Sequence, residues 1–121
     1  MKKIIFDQYG NPTLILHKNG RLVSFNGQSI GFLDGDSVYD YNGRHRGWLK
    51  EGVLRDHDGS CVGFTREARK SFVPIFPITK IVPIASIVAI EPIRPIKSIK
   101  PIRPIKKLSW SIFNPLSLFN L

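Results

Sequence analysis

A chain of 121 residues, 42% of them hydrophobic, has room for one small domain and an appendage and is too short for two independent domains. Its single cysteine, Cys61, excludes an internal disulfide and fits a reducing compartment. The apolar runs are too short for a signal peptide or for a membrane-spanning helix, which needs about 18 uncharged apolar residues. We therefore expect a cytoplasmic protein with no membrane span.

Charge is distributed unevenly along the chain, whose formal net charge is +9. Residues 1–72 carry eleven Lys or Arg and eight Asp or Glu, a net charge of +3. Residues 73–121 carry seven basic residues and only Glu91 as an acid, a net charge of +6. Basicity therefore belongs mainly to the second part of the chain.

Four copies of a short motif occupy residues 1–70. Each copy contains a glycine in a turn-forming context, spaced by 17, 16 and 16 residues: Gly10, Gly27, Gly43 and Gly59. Asn-Gly and Asp-Gly favour type I′ hairpin turns, because both central residues of that turn need positive φ. A second glycine and an aromatic follow in the last three copies: Gly31-Phe32, Gly47-Trp48 and Gly63-Phe64. Leu14-Ile15 replaces them in the first copy, as is common in terminal repeats.

The segments between the turns are short and rich in residues that favour strands: 4–7, 13–17, 22–25, 29–33, 38–41, 45–49, 54–56 and 61–65. Short strands at this spacing, with turn chemistry at both ends, predict an all-β meander. Since a closed ring leaves no free strand edge, we expect four β-hairpin repeats of about 16 residues in a pseudo-fourfold ring.

Two further sets of residues recur around each turn glycine. We expect the residues five places before it and five places after it to form the core: Ile5, Leu22, Val38, Leu54, Ile15, Phe32, Trp48 and Phe64. Three places before it lie Asp7, Ser24, Asp40 and Asp56, whose side chains are placed to accept hydrogen bonds from the turn amides.

The stretches 39–48 and 56–64 resemble the bacterial four-fold beta flower proteins. Proteins of that family also carry a Pro-Ile/Lys-Pro-Ile tail and a Ser-Trp pair near the end, which match Lys100–Lys106 and Ser109-Trp110. The resemblance implies a fold and no particular activity.

Residues 71–121 form a tail that we separate from the repeat domain of residues 1–70. From Val73 the tail divides into twelve triplets: VPI FPI TKI VPI ASI VAI EPI RPI KSI KPI RPI KKL. The middle position is proline in seven of them, otherwise Lys, Ser or Ala. A period of three is that of the polyproline II helix, and proline disfavours both the α-helix and interior strands. We therefore expect an extended, polyproline-II-like tail.

The third position of the triplets is the candidate interaction edge. It is isoleucine eleven times: Ile75, Ile78, Ile81, Ile84, Ile87, Ile90, Ile93, Ile96, Ile99, Ile102 and Ile105. Burying one isoleucine stabilises by roughly 1.5–3 kcal/mol, so the edge should be covered by the repeat domain, by tails of other subunits or by a partner's groove. This predicts a non-enzymatic assembly or protein-interaction module, as a homo-oligomer or with a protein partner.

A second hypothesis uses the basic stretch from Arg94 to Lys107. The candidate anion contacts are Arg94, Lys97, Lys100, Arg103 and Lys106, and their partner would be nucleic acid or an anionic surface. The alternative explanation is that these residues keep an apolar tail soluble.

Candidates for chemistry are few. Phosphate loops, paired metal-ligand motifs and nucleophile signatures are absent from the sequence, so we expect neither an enzyme nor a cofactor or metal site. The run Asp56-His57-Asp58 and a Cys61–His45 pair are the weak exceptions, and a packed thiol is the favoured interpretation of Cys61. After the prolines, Trp110, Phe113, Leu116 and Phe119 keep a spacing of three, which predicts a segment that docks.

Overall fold

The computed structural model describes residues 2–119, so Met1 and the last two residues of the predicted tail lie outside the described part. It contains eight strands: β1 (Lys3–Phe6), β2 (Pro12–Leu16), β3 (Arg21–Ser24), β4 (Ser29–Asp34), β5 (Ser37–Asp40), β6 (His45–Lys50), β7 (Val53–Arg55) and β8 (Cys61–Phe64). The ends of every strand lie within one residue of the predicted ends.

The strands form a closed antiparallel barrel in which each strand pairs with its neighbours in the chain. The ring closes where β8 meets β1, through the pair Phe6 and Phe64. Residues 2–119 contain no helix. The predicted all-β ring of four hairpins is therefore confirmed.

The turns at the four turn glycines are not of the predicted type. Only the glycine has positive φ there, +81° at Gly10 and +83° at Gly43. Its amide donates to the carbonyl three residues earlier, as from Gly43 to Asp40 at 3.1 Å. Each turn is therefore a type I turn followed by a left-handed glycine that forms a bulge. Two consecutive positive φ values, the requirement of type I′, occur instead at Glu51 (54°) and Gly52 (79°).

The acidic residue that opens three of the four turns explains why type I is favoured there. Asp40 Oδ1 accepts hydrogen bonds from the amides of Asn42 at 2.8 Å and Arg44 at 3.0 Å. Asp7 and Asp56 accept the equivalent pairs of amides. The carboxylate thereby holds the residues on both sides of the glycine in one geometry. The prediction that these side chains bind the turn amides is correct.

The predicted core is divided between the two faces of the barrel. The set before the turn glycine (Ile5, Leu22, Val38 and Leu54) is fully buried inside, where it packs with Leu14, Leu49 and Val62. The set after the glycine (Ile15, Phe32, Trp48 and Phe64) is also buried but lies outside this interior cluster. Because successive strand residues point to opposite faces, the barrel has an outer apolar layer as well as an inner one.

The C-terminal segment docks on the barrel. The backbone of Cys61 exchanges hydrogen bonds with Ser109 and Ser111, and Leu118 and Phe119 join the interior cluster. A Cβ on Gly31 would lie 2.6 Å from the ring of Phe119, and this close approach explains the second glycine of that copy. Among the four residues predicted to dock, Phe113 and Leu116 each keep 41% of their surface exposed, whereas Phe119 is buried.

Truncating an interior leucine should destabilise the fold strongly, whereas truncating a tail isoleucine should have almost no effect. Leu54→Ala removes a side chain that is fully buried, so it should lower the free energy of unfolding by about 2–5 kcal/mol. Ile84→Ala removes one that is 99% exposed, so the change should stay within about 0.5 kcal/mol. Urea denaturation of the two variants checks this, and a comparable loss in both would contradict the assignment of the core.

Candidate functional site: an apolar rim on a belt around the barrel

The twelve triplets, residues 73–108, run around the outside of the barrel, and we call this segment the belt. Neither helix nor strand is assigned within it. Five belt amides donate hydrogen bonds to barrel carbonyls, and we call them the tethering amides: Lys80 to Gly10 (2.9 Å), Ser86 to Phe25 (2.9 Å), Ala89 to Gly27 (3.1 Å), Ser98 to Gly43 (2.8 Å) and Lys107 to Gly59 (3.0 Å). They belong to the five triplets whose middle residue is not proline. Proline is thus missing wherever an amide hydrogen is needed.

The belt repeats in step with the barrel. Lys80, Ala89, Ser98 and Lys107 are nine residues apart and bind the four turn glycines in order. Three triplets therefore span one hairpin repeat, and twelve triplets span the whole ring. We call each nine-residue unit a quarter: 73–81, 82–90, 91–99 and 100–108.

The turn glycines also make room for the belt. Next to Gly43, an added Cβ would overlap the carbonyl oxygen of Ile96, and the same holds for Gly10, Gly27 and Gly59 against Ile78, Ile87 and Ile105. These glycines have positive φ, so a side chain would meet backbone strain and a collision together. Glycine is therefore required both by the turn and by the belt.

Arg55 joins the two ends of the belt. This buried side chain donates to the carbonyl of Lys107 at 2.9 Å and to the carbonyl of Phe72. It also donates to the carbonyl of Gly59 at 2.8 Å. Since Phe72 precedes the first triplet and Lys107 lies in the last, one guanidinium closes the belt after a full turn around the barrel.

The first position of the triplets forms the inner edge of the belt. In the first half, Phe76 stacks on Phe64 of the outer layer, with ring centroids 4.2 Å apart. Its neighbours at this position are also half-buried, with the exception of Ala85: Val73, Thr79, Val82 and Val88. The belt therefore covers part of the outer apolar layer.

In the second half, the inner edge is basic and is paired with acidic residues. Lys97 and Lys100 both approach Asp34, at 3.7 and 3.4 Å, and Arg103 approaches Asp36 at 3.3 Å. The guanidinium of Arg94 contacts Glu91 at 2.8 Å and lies over the ring of Phe32. Of the five predicted anion contacts, only Lys106 has no ion pair within residues 2–119. The other four help to position the belt.

The third position of the triplets is the outer edge. Its eleven isoleucines are 87–99% exposed, and we call them the rim. The repeat domain thus does not cover the isoleucine edge, which was one of the three alternatives open from the sequence. The rim side chains are held in place by the backbone and inner-edge contacts of the belt while contributing almost no buried surface themselves.

Of the remaining titratable candidates, His45 and Cys61 are buried and His57 is exposed. His45 Nδ1 lies 2.9 Å from His57 Nε2, and both rings meet Trp48 edge-on. Burial lowers the pKa of His45 to about 4, with smaller contributions from His57 and Lys100. Burial raises the pKa of Cys61 to about 12, which is the behaviour of a packed thiol. Residues 2–119 hold no group of three or more His, Cys, Asp or Glu side chains placed for a metal ion.

The protein is thus a barrel of four hairpin repeats encircled by a triplet belt. The sequence pattern described as 4-fold beta flower protein matches residues 3–119. The chain belongs to the 4-fold beta flower family. The family match extends over the barrel, the belt and the docked C-terminal segment, so the predicted resemblance is confirmed. No match was found among curated proteins or among solved structures. Residues 2–119 include no helix of the length and hydrophobicity needed to cross a bilayer.

Two elements of the site were missed by sequence reasoning. Arg55 occupies the place, four before the turn glycine, where the other copies have Phe6, Val23 and Tyr39, and this break in the pattern was the available signal. The tethering residues can be recognised in the sequence as the middle residues of the five triplets that lack a middle proline. The sequence does not show which barrel carbonyls their amides bind.

Proline at a tethering position should loosen the belt. Ala89→Pro removes the donor to Gly27 and leaves a partly covered carbonyl without its partner, which should lower the free energy of unfolding by about 1–3 kcal/mol. Ala89→Ser keeps the amide and is the matched control, expected to stay within about 0.5 kcal/mol. Thermal unfolding of both variants measures this difference. If Ala89→Pro were as stable as Ala89→Ser, the need for an amide hydrogen would not explain why these triplets lack proline.

The buried His45 should make the beta flower less stable in mild acid. Its pKa is about 4 in the barrel against 6.5 in the unfolded chain, so the unfolded chain binds more protons between these values. Stability should therefore fall as the pH decreases from 6.5 towards 4, by at most about 3 kcal/mol. His17, whose pKa is lowered too, acts in the same direction, so the measurement is the difference between wild type and His45→Phe. Parallel pH profiles for the two would contradict this assignment.

Proposed function

We propose that this member of the beta flower family is a non-enzymatic assembly module whose rim binds an apolar protein surface, with further copies of the same chain as the first partner. The observation that carries the proposal is the exposure of eleven isoleucines, 87–99% each, on a segment fixed to the barrel. Such an edge gains free energy only when another surface covers it.

The size of the rim supports this proposal. Burying one isoleucine contributes roughly 1.5–3 kcal/mol, and each Å² of buried apolar surface contributes ~25 cal/mol. One side chain therefore exposes roughly 60–120 Å² of apolar surface, and the eleven rim residues together expose on the order of 1,000 Å². The largest apolar patch on a typical monomer is about 300–600 Å². An exposed apolar surface of this extent is typical of proteins that associate.

We further propose that the belt has polyproline II geometry, which keeps the rim residues in one row. Eight strands about 4.8 Å apart and tilted by about 40° give a perimeter of about 50 Å. A layer packed about 10 Å outside them adds roughly 60 Å, for a total of about 110 Å. Thirty-six residues rising by ~3.1 Å each also span about 110 Å, so the belt fits one turn without slack.

The anion-binding alternative has less support. Four of its five candidate residues pair with Asp34, Asp36 or Glu91 while remaining 35–51% exposed, so phosphates would compete with those carboxylates. The rim has no competing partner within residues 2–119. Assembly is therefore the function that we favour.

Replacing the whole rim tests the proposal without removing the belt. A variant with all eleven rim isoleucines changed to threonine keeps the branched side chains, the prolines, the tethering amides and the charge. We expect the wild-type chain to sediment above its monomer mass of 13.7 kDa in a concentration-dependent way, and the threonine variant to remain a monomer.

Near-ultraviolet circular dichroism of Trp48 and Trp110 controls for the fold, since both indoles lie in the outer layer next to the belt. The spectra of the two proteins should coincide. A wild-type chain that is monomeric at every concentration, or a variant that associates as strongly, would overturn self-association through the rim.

A further inference from the structure

The rim does not have the fourfold regularity of the barrel, because the belt is charged in some quarters and uncharged in one. Residues 82–90 contain no charged side chain, whereas 91–99 and 100–108 contain three and four. Around the middle of the uncharged quarter, Pro83, Ala85, Ser86 and Ala89 are exposed together with Ile84, Ile87 and Ile90. This quarter is therefore the easiest part of the rim to remove from water.

The same quarter is held by more backbone hydrogen bonds to the barrel than any other quarter. It has two tethering amides, from Ser86 to Phe25 and from Ala89 to Gly27, where each other quarter has one. In addition, Arg21 donates from the barrel to the carbonyl of Ala89. Because an ordered surface loses little conformational entropy on binding, this quarter is prepared for a contact.

We propose that two copies of the chain pair across a twofold axis through this uncharged quarter, with segments 81–90 antiparallel and the axis passing between Ala85 and Ser86. The inference rests on the proposed function and names the part of the rim and the partner that it uses. A twofold contact is self-complementary, so the same residues serve both copies. Ile84 then faces Ile87 of the second copy, and Ile81 faces Ile90.

The charges at the ends of the segment select this register. Lys80 and Glu91 are the first charged residues on the two sides of it, and an axis between residues 85 and 86 places Lys80 of each copy opposite Glu91 of the other. Lys80 is exposed, and Glu91, whose Oε2 binds Arg94 and Tyr41, keeps 21% of its side chain accessible for a second cation. An axis through Lys80 itself would instead bring two lysines together. Opposite charges thus favour the first register and like charges oppose the second.

The area sets the expected strength. Four isoleucines from each copy, at roughly 60–120 Å² each, bury about 500–1,000 Å² in total, which lies at or below the lower limit of specific interfaces. We therefore expect a dimer in concentration-dependent equilibrium with the monomer. Pairing of this kind leaves the other three quarters of the rim free for further contacts.

A matched pair of rim variants provides the test. Ile84 and Ile102 lie at the same place in their quarters, eighteen residues apart, and are 99% and 96% exposed. Ile84→Asp should weaken the dimer at least tenfold in sedimentation velocity, whereas Ile102→Asp should change the dissociation constant less than threefold. Both substitutions are on the surface, so circular dichroism should match that of the wild type.

The outcomes separate this inference from the proposed function. A wild-type chain that never associates overturns self-association altogether. Association that both aspartates weaken equally, or that Ile84→Asp leaves intact, overturns the choice of quarter while self-association through the rim stands.

Lys80→Ser tests the register, because the amide that tethers Lys80 to Gly10 is retained. Losing two symmetric ion pairs should weaken the dimer roughly two- to tenfold at low salt. A stronger dimer would place the axis near Lys80 and contradict the register.

Crosslinking gives a second measurement, which reports the geometry of the contact as well as its strength. Ile84→Cys should be joined to its symmetry mate by a short bis-maleimide, because the two positions lie about three residues, or ~9 Å, apart along the paired segments. Ile102→Cys is the control and should remain uncrosslinked at the same concentration. The native Cys61 is fully buried and does not interfere. Equal crosslinking of the two variants would contradict the proposed pairing.

Discussion

The hydrogen bond from a belt amide to the carbonyl of a turn glycine is the contact on which the outer half of this molecule depends. Gly10, Gly27, Gly43 and Gly59 each accept one such bond. Proline elsewhere in the belt limits the freedom of the unfolded chain, which reduces the entropy lost on wrapping. A few directional bonds therefore hold a long segment. Because these bonds use the backbone, the side chains of the third position are left free to face away from the barrel.

Three periods must agree for this arrangement to work. Side chains repeat every three residues, tethers repeat every nine, and the hairpins repeat every 16 or 17. Removing one residue from the belt would turn every later isoleucine away from the rim and displace the later amides from their glycines. The inner edge reinforces the register in two ways. Phe76 stacks on Phe64 in the first half, and Asp34 and Asp36 bind the basic residues of the second.

Local signals made most of the barrel predictable. Turn glycines, the acids that precede them and the alternation of apolar residues act within a few positions, so strand bounds, turn hydrogen bonds and buried positions followed from the sequence. The turn type was wrong because it was inferred from the Asn-Gly and Asp-Gly pairs alone, whereas the predicted hydrogen bonds from the turn amides to Asp40 and Asp56 favour a type I turn. The belt's path and the clamp by Arg55 depend mainly on partners 48 to 70 residues away in the chain, and no local pattern identifies such partners. The exposure of the rim isoleucines was not predictable either. Their three-residue period is visible in the sequence, but the sequence does not show whether that edge faces the barrel or the solvent.

The composition of the belt explains why its rim is apolar although the chain is strongly basic. Four of the five basic inner-edge residues pair with carboxylates, so much of their charge is compensated beside the barrel. The third position then runs through the basic half without interruption by charge, as Ile93 to Ile105, and remains as exposed there as in the uncharged half. A chain that needed only solubility would place its lysines on the outermost edge, where water is most accessible. Here isoleucine occupies that edge, whereas Lys97, Lys100 and Arg103 are 42–51% exposed and pair with Asp34 and Asp36; under the proposed function this order is favourable because another surface covers the isoleucines.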